Sequence, residues 1–179
     1  MLPESRPERE SQESLHIPPE WVASDSTFFV TINCELRHHP QLTLPDIPEK
    51  LFSAVSHYRH SHRWWPEIFL LMPDHLHALI SFSWDRKQGM DSVISGWKRY
   101  TARALGIEWQ RGYFDHRIRN EADHQAAWCY IRENPVRAGL ADSYDTWPHV
   151  WLPDRVGWKR PLPPSAAESS GSGSVEEGL

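Results

Sequence analysis

Two histidines separated by one residue lie in an apolar run, and the pair has the spacing of metal ligands. The run covers residues 75–80, and Leu76 stands between His75 and His77. In a β-strand the side chains of residues i and i+2 lie on the same face, about 6–7 Å apart. Neutral imidazole is among the commonest metal ligands, so the pair could hold one metal ion while Leu76 faces the core. On these residues alone, a metal site and two ordinary buried histidines are equally good interpretations.

A second element aligns a hydroxyl with an amide oxygen. Tyr130 and Asn134 are four residues apart in a segment rich in helix-compatible residues. Residues i and i+4 share one face of a helix, so both side chains can reach the same ligand. Pro135 disfavours helical geometry at the residue before it, and we therefore expect the helix to end or kink at Asn134.

Four motifs in a fixed order carry a resemblance to a known family. They are Met-Pro-Asp-His-Leu-His at 72–77, Trp-Lys-Arg-Tyr-Thr-Ala-Arg at 97–103, Tyr-Phe-Asp-His-Arg at 113–117 and Tyr-Ile-Arg-Glu-Asn-Pro-Val-Arg-Ala-Gly-Leu at 130–140. Together they resemble the single-tyrosine HUH transposases, specifically the REP-associated tyrosine transposases of bacteria. Two departures are visible: Asp74 stands where asparagine is usual, and Ala141 where a second β-branched residue usually follows Gly-Leu. We expect neither position to contact a group that takes part in the chemistry.

The resemblance implies a reaction and a set of roles. Tyr130 would be the catalytic nucleophile, forming a 5′-phosphotyrosine at a single-stranded DNA hairpin, a REP-like palindrome with a flanking tetranucleotide. His75, His77 and Asn134 would hold a divalent metal ion, either Mg²⁺ or Mn²⁺. Two imidazoles favour Mn²⁺ and cellular abundance favours Mg²⁺, which leaves that choice open. The protein would then be a metal-dependent endonuclease and strand transferase, acting as a monomer or a homodimer.

Other interpretations of the same residues stay open. A domesticated, non-catalytic binder of nucleic-acid hairpins could use the same fold. A replication initiator or conjugative relaxase of the HUH type would use the same nucleophile, and a histidine-dependent phosphohydrolase would need no tyrosine. Among the other tyrosines, Tyr113 is the best rival nucleophile, although it has no amide one helical turn away.

The net charge allows a local DNA-binding groove. The chain carries −5, and residues 1–20 and 161–179 each carry −3, which leaves +1 for residues 21–160. A nearly neutral domain argues against broad coating of DNA. The predicted DNA-binding residues, each of which could instead be an ordinary solvated side chain, are Lys98, Arg99, Arg103, Arg117, Arg119, Arg132 and Arg137. Most tryptophans are expected to pack in the core, but some could stack unpaired bases: Trp97, Trp109, Trp147, Trp151 and Trp158.

Composition bounds the organisation of the chain. Residues 1–20 and 161–179 are rich in Pro, Ser, Glu and Gly and are predicted to be flexible tails around one domain at 21–160. No stretch reaches the roughly 20 apolar residues of a membrane span, so we expect a cytoplasmic protein with no membrane partner. Cys34 and Cys129 are too few for a disulfide framework, and both are expected to be buried thiols.

The elements that must position the candidate residues follow from periodicity. Strands are predicted at 27–33, 67–72, 75–82 and near 113–117, and helices at 48–60, 90–105 and 121–134. This β-α-β-β-α-β order predicts an α+β fold of the split βαβ (ferredoxin-like or RRM-like) type, an antiparallel sheet with helices packed on one face. The tyrosine helix follows it and would cross the open face of the sheet.

Overall fold

The strands in the part of the chain that the structure describes form one antiparallel sheet. A computed structural model describes residues 27–82 and 89–153. Its main elements are β1 (Thr27–Asn33), α1 (Ile47–His60), β2 (Trp65–Leu71), β3 (His75–Ser81), α2 (Met90–Leu105), β4 (Phe114–Arg117), α3 (Glu121–Arg137) and β5 (Val150–Trp151). Both predicted tails, 1–20 and 161–179, lie outside the described residues.

The strand order confirms the predicted fold class. The sheet runs β4-β1-β3-β2-β5, and every neighbouring pair is antiparallel. The first four strands therefore have the split βαβ arrangement, with β1 and β3 in the centre. The two-residue β5 was not predicted, because a segment that short has no periodicity to detect.

The two faces of the sheet are covered differently. Helices α1 and α2 cover one face, called the covered face below, and they bury a large apolar core against it. Strand β3 contributes Leu76, Ala78 and Ile80 to this core. Helix α3 packs on the opposite face, called the α3 face, where Ile131 is fully buried in a smaller cluster with Leu79. The prediction that Leu76 faces the core while a later helix crosses the other face is confirmed.

Capping residues set both ends of α3. The Asn120 side chain accepts a hydrogen bond of 2.9 Å from the Asp123 N–H and begins the helix. Gly139, at φ +70°, ends it: its N–H bonds to the Val136 carbonyl and the Leu140 N–H to the Pro135 carbonyl. These two bonds form a Schellman motif, which needs a left-handed residue. The helix therefore runs to Arg137, and the expectation that it ends at Asn134 was wrong, because the glycine rather than the proline terminates it.

The two cysteines lie in different environments. Cys34 is buried, and burial raises the pKa of its thiol to about 12, so it is inert. Cys129 is exposed on α3, so the expectation that both thiols are buried was wrong for this one. It stands two residues from the buried Ile131 and therefore points away from the packed side of the helix.

No helix among the described residues is long and apolar enough to cross a membrane.

Candidate active site

The two histidines of β3 project together onto the α3 face. Their ring centroids are 4.8 Å apart, and the rings are nearly perpendicular. In register, His77 lies opposite Thr31 of β1 and His75 opposite Asn33. The strand periodicity thus brings the predicted pair together, as the i, i+2 spacing requires.

Each imidazole is oriented through its Nδ1 atom. His75 Nδ1 lies 2.6 Å from Asp74 Oδ1, and His77 Nδ1 lies 2.8 Å from Thr31 Oγ1. When Nδ1 donates to these oxygens, the Nε2 lone pair is left available to a ligand. The expectation that Asp74 contacts no group of the chemistry was therefore wrong. Its side chain is the direct partner of a candidate metal ligand.

Asp74 is itself held in place. Its carboxylate is buried and accepts a 2.7 Å hydrogen bond from the His38 N–H, and the Arg37 guanidinium lies 3.3 Å away. Burial alone would raise the pKa of this carboxyl, but the hydrogen bonds from His75 and His38 and the charge of Arg37 outweigh it and lower the pKa. At neutral pH the group is therefore a carboxylate that can only accept, which fixes the proton of His75 on Nδ1.

His77 is buried and neutral. Burial, with the neighbouring His75 and the charge of Arg37, lowers the pKa of its imidazole to about 3. Above that pH the ring is uncharged, and an uncharged imidazole is the form that ligates a metal. Its ring also stacks on Phe29, at 5.4 Å between centroids, which restricts its rotation.

The ring of Tyr130 on α3 meets that of His77 edge-on. Its ring centroid is 5.5 Å from that of His77 and 5.7 Å from that of Phe29. The side chain is still 42% exposed, so its ring is open to solvent while it borders His77. The Arg137 guanidinium carbon lies 5.5 Å from the same ring. A phenolic hydroxyl, two imidazoles and a permanent cation are therefore grouped on the α3 face, where Tyr130 is exposed and His77 is buried.

Asn134 lies one turn beyond Tyr130 on α3, half-buried, and its side chain can supply an oxygen. Among the described residues, no group of three or more His, Cys, Asp or Glu side chains is arranged to hold a metal ion. A metal on His75 and His77 would therefore need a third ligand of another type, such as this amide. The oriented Nε2 atoms and the neutral state of His77 fit a divalent cation.

The rival nucleophile Tyr113 lies elsewhere. It packs beside the core of the covered face, and its hydroxyl donates a hydrogen bond to the Asp91 carboxylate. Burial and that carboxylate raise the pKa of its phenol. Tyr113 is therefore separated from His75 and His77 by the sheet and is a weaker acid than an ordinary tyrosine.

The seven predicted DNA-binding residues do not form one groove. Arg99 and Arg103 line a shallow cavity with Tyr100 on α2, which covers the opposite face of the sheet from Tyr130. Arg117 pairs in register with Phe28, which packs on the covered face, so Arg117 points to that side.

The remaining predicted DNA-binding residues differ in the contacts that their cationic groups make within the protein. Arg119 is exposed before α3, and Arg137 borders Tyr130. The Arg132 guanidinium lies 3.5 Å over the Tyr144 ring. Lys98 donates hydrogen bonds to the carbonyls of residues 110 and 112, and burial lowers the pKa of its ammonium. Lys98 therefore supports a loop of its own chain.

Sequence reasoning missed the residues that support the histidines from outside the motif. Thr31 is one β-branched residue among several in β1, and nothing local marks it as the partner of His77. Asp74 stood inside the motif, and its place next to His75 was a signal that could have been used. Four of the tryptophans proposed for stacking pack instead: Trp97 is fully buried and Trp151 nearly so, while Trp109 and Trp147 pack against the two apolar clusters. Trp158 lies outside the described residues.

The chain is similar to known proteins in sequence and in fold. The chain is 28% identical over 127 residues to the REP-associated tyrosine transposase of Escherichia coli K12, which covers 68% of this chain and 73% of that protein. A solved structure of a REP-associated tyrosine transposase bound to a REP hairpin superposes with a TM-score of 0.63 at 23% identity, covering 75% of this chain and 81% of the other. No protein-family model matches the chain.

In sequence the chain is similar to a REP-associated tyrosine transposase, and in fold it is similar to a solved structure of one. The resemblance to the REP-associated tyrosine transposases that the motifs predicted is confirmed by both comparisons.

Proposed function

We propose that this protein cleaves and rejoins single-stranded DNA at palindromic, REP-like hairpins, with Tyr130 as the nucleophile. The observation that carries the proposal is the contact of the half-exposed Tyr130 ring with His77, whose ring in turn meets that of His75 on the α3 face. The similarity to a transposase whose solved structure holds a REP hairpin supports the choice of substrate.

The reaction exchanges one phosphodiester for another. The Tyr130 hydroxyl gives up its proton and attacks the scissile phosphorus, forming a bond from its oxygen to phosphorus. The bond from phosphorus to the 3′ oxygen breaks, and that oxygen takes up a proton and leaves as a free 3′-hydroxyl. The 5′ phosphate stays on Tyr130 until another 3′-hydroxyl attacks and reverses the exchange, which suits strand transfer better than hydrolysis.

The residues around Tyr130 would prepare the phosphate for this attack. A divalent ion would be held by His75 and His77, with Asn134 as the third ligand. When bound, it would neutralise negative charge on the non-bridging oxygens of the scissile phosphate. Asp74 and Thr31 keep both Nδ1 atoms occupied, so that the Nε2 atoms face the site. Arg137, beside the Tyr130 ring, would bind a phosphate of the strand and set its position for in-line attack.

The hairpin needs contacts beyond this small site. The phosphates of the duplex stem could be bound by four arginines outside the site: Arg99, Arg103, Arg117 and Arg119. To contact these side chains, the stem would have to extend past the β4 edge of the sheet. Phosphate contacts give a binding constant that falls steeply with salt.

The decisive experiment is a covalent-adduct assay with a hairpin that carries its unpaired flanks and a divalent ion. We expect a denaturation-resistant adduct that peptide mapping assigns to Tyr130 and that disappears in excess chelator. Tyr130→Phe keeps the ring packed against Phe29 and His77 and removes the hydroxyl, so it should bind the hairpin but form no adduct.

Tyr113→Phe is the matched control, because it removes a hydroxyl on the other side of the sheet and should leave the adduct yield unchanged. An adduct on Tyr113, or an undiminished yield from Tyr130→Phe, would contradict the assignment. Hairpin binding with no adduct from the unaltered protein would favour the non-catalytic binder instead.

A further inference from the structure

A large aromatic side chain is left exposed on the edge strand beside the candidate site. Phe114, the first residue of β4, is 69% exposed. Among the described residues it belongs to neither apolar cluster and its ring contacts no other aromatic ring. Single exposed apolar residues are common on protein surfaces, so exposure alone does not indicate a function for Phe114. Its position in the sheet does.

Phe114 lies in one row with the histidine that borders Tyr130. In the sheet register it pairs with Thr31, and Thr31 pairs with His77. Directly paired residues project from the same face, so Phe114, Thr31 and His77 lie side by side across three strands. With neighbouring strands about 4.8 Å apart, the backbones of Phe114 and His77 are about 10 Å apart. A single strand can therefore contact both at once.

This part of the α3 face is bounded by polar and cationic groups but not covered by the helix. Helix α3 packs mainly on β3 and β2. On one side His116 lies near Asp123 of α3, at 3.6 Å, and marks where the helix begins to cover the sheet. On the other side Arg37 donates a hydrogen bond of 2.6 Å to Asn33 and keeps a guanidinium at the end of β1. The open area therefore offers one flat ring in the row that ends at His77, with the Arg37 guanidinium at the end of β1.

We propose that Phe114 is the stacking surface for an unpaired base of the DNA strand that Tyr130 cleaves, with Arg37 and Arg137 as charge partners of the adjoining phosphates. The inference rests on the proposed function and extends it to a specific subsite. An aromatic residue on an open sheet face stacks bases of any sequence, because every base has a flat aromatic surface. A base anchored there fixes the neighbouring backbone against the edge of Tyr130, which orients the scissile phosphate without reading the duplex.

The chemistry of the surroundings favours a nucleic-acid strand over an apolar protein segment. On the α3 face the neighbours of Phe114 in its row are Thr31 and His77, and Arg37 lies at the end of β1, so a second apolar surface would find one ring and no groove. A base needs an aromatic face to stack on and water or cations at its polar edges. The exposed Phe114 ring supplies the face, and the solvent and Arg37 supply the rest.

The test compares two substrates on three proteins in chelator, so that no cleavage occurs. Dissociation constants are measured by fluorescence anisotropy for a hairpin with unpaired flanks and for the same hairpin with blunt ends. For Phe114→Leu, which keeps an apolar side chain but removes the flat ring, we expect binding of the flanked hairpin to weaken by about 5- to 150-fold, the range for loss of one base–aromatic stack. Blunt-hairpin binding should stay within about twofold of the unaltered protein.

Phe114→Trp is the matched control, since it keeps a stacking surface, and it should bind the flanked hairpin as tightly as the unaltered protein. A hairpin with 5-iododeoxyuridine in its flank should photo-crosslink to residue 114 in the unaltered protein and lose that crosslink in Phe114→Leu. Circular dichroism melting curves for all three proteins should coincide, because the side chain is exposed.

The outcomes separate the two proposals. Equal affinity of Phe114→Leu and the unaltered protein for the flanked hairpin, or equal weakening for both hairpins, would overturn this inference and leave the proposed function standing. Failure of the unaltered protein to bind either hairpin would overturn both. Crosslinks that map only to residues of the covered face would also overturn the inference.

Discussion

The two faces of the central sheet are built from alternate residues of the same strands, and they differ in almost every physical respect. On the covered face Leu76, Ala78 and Ile80 are sealed under α1 and α2, in a core dominated by aromatic and aliphatic side chains. On the α3 face the intervening positions hold His75, which is partly exposed, and His77, which is buried. One face therefore supplies stability and frees the other to carry polar groups that a sealed core would not tolerate.

The largest effect should come from the covered face. Trp97 is fully buried and touches the rings of Trp64, Phe69 and Trp109 at 5.5–5.7 Å between centroids. Trp97→Ala should lower the free energy of unfolding by about 3–5 kcal/mol, measured by chemical denaturation. Adduct yield per folded molecule should not change, because Tyr130 lies across the sheet.

Trp97→Phe is the matched variant for this prediction. It retains an aromatic ring and removes an indole N–H that has no hydrogen-bond partner within the described residues. The loss of stability should therefore be clearly smaller than for alanine. If Trp97→Ala costs less than about 1 kcal/mol, the covered face is not the stabilising half of the molecule.

An intermediate effect is expected on the α3 face, in metal affinity. Asp74→Ala removes the acceptor that orients His75, and loss of such a partner typically weakens metal binding by about 10- to 100-fold. Asp74→Asn keeps an oxygen that can accept from Nδ1, so its loss should be smaller. Titration of Mn²⁺ by electron paramagnetic resonance measures both. Equal affinity for the alanine variant and the unaltered protein would show that the carboxylate does not position the ligand.

The smallest effects separate two cations of α2. Lys98→Met removes hydrogen bonds to the carbonyls of residues 110 and 112, so we expect a loss of about 1 kcal/mol in stability and an unchanged salt dependence of hairpin binding. Arg103→Gln should do the opposite, with stability within about 0.5 kcal/mol and a salt slope flatter by about one unit. A flatter slope for Lys98→Met would assign the phosphate contact to the lysine instead.

Sequence patterns recovered the order of the main elements because most of them bury an apolar side, although β4 is exposed along its whole length. The strand Thr27–Asn33 and the helix Met90–Leu105 match their predicted bounds, the strand because its residues are β-branched and aromatic. The end of α3 was misplaced because the proline was weighted above Gly139, whose left-handed backbone makes the cap. Strand β5 depends on pairing with β2 over two residues and has no local signal.

For the candidate site, residues inside short motifs were easier to find than their partners. The i, i+2 and i, i+4 spacings were enough to bring His75 and His77 together and to align Tyr130 with Asn134 on α3. They could not reveal that Thr31, 46 positions from His77, would orient it, because that contact is made only when β1 and β3 pair. The DNA-binding residues were predicted from their positive charge alone. The fold shows that Arg103 lies on α2, on the covered face, whereas Arg137 lies beside Tyr130.

The pairing of β3 with β1 has one more consequence, for the fate of molecules that fold incorrectly. A slip of one residue in this register would exchange the two sides of β3, moving both imidazoles under α1 and α2 and turning Leu76, Ala78 and Ile80 outward. A chain with this register slip would lose both the arrangement of its histidine pair and its stability. Its exposed apolar side chains would make it a target for cellular proteases. Degradation of the unstable species would then remove the inactive ones as well, so the surviving population is enriched in molecules with the histidine pair assembled.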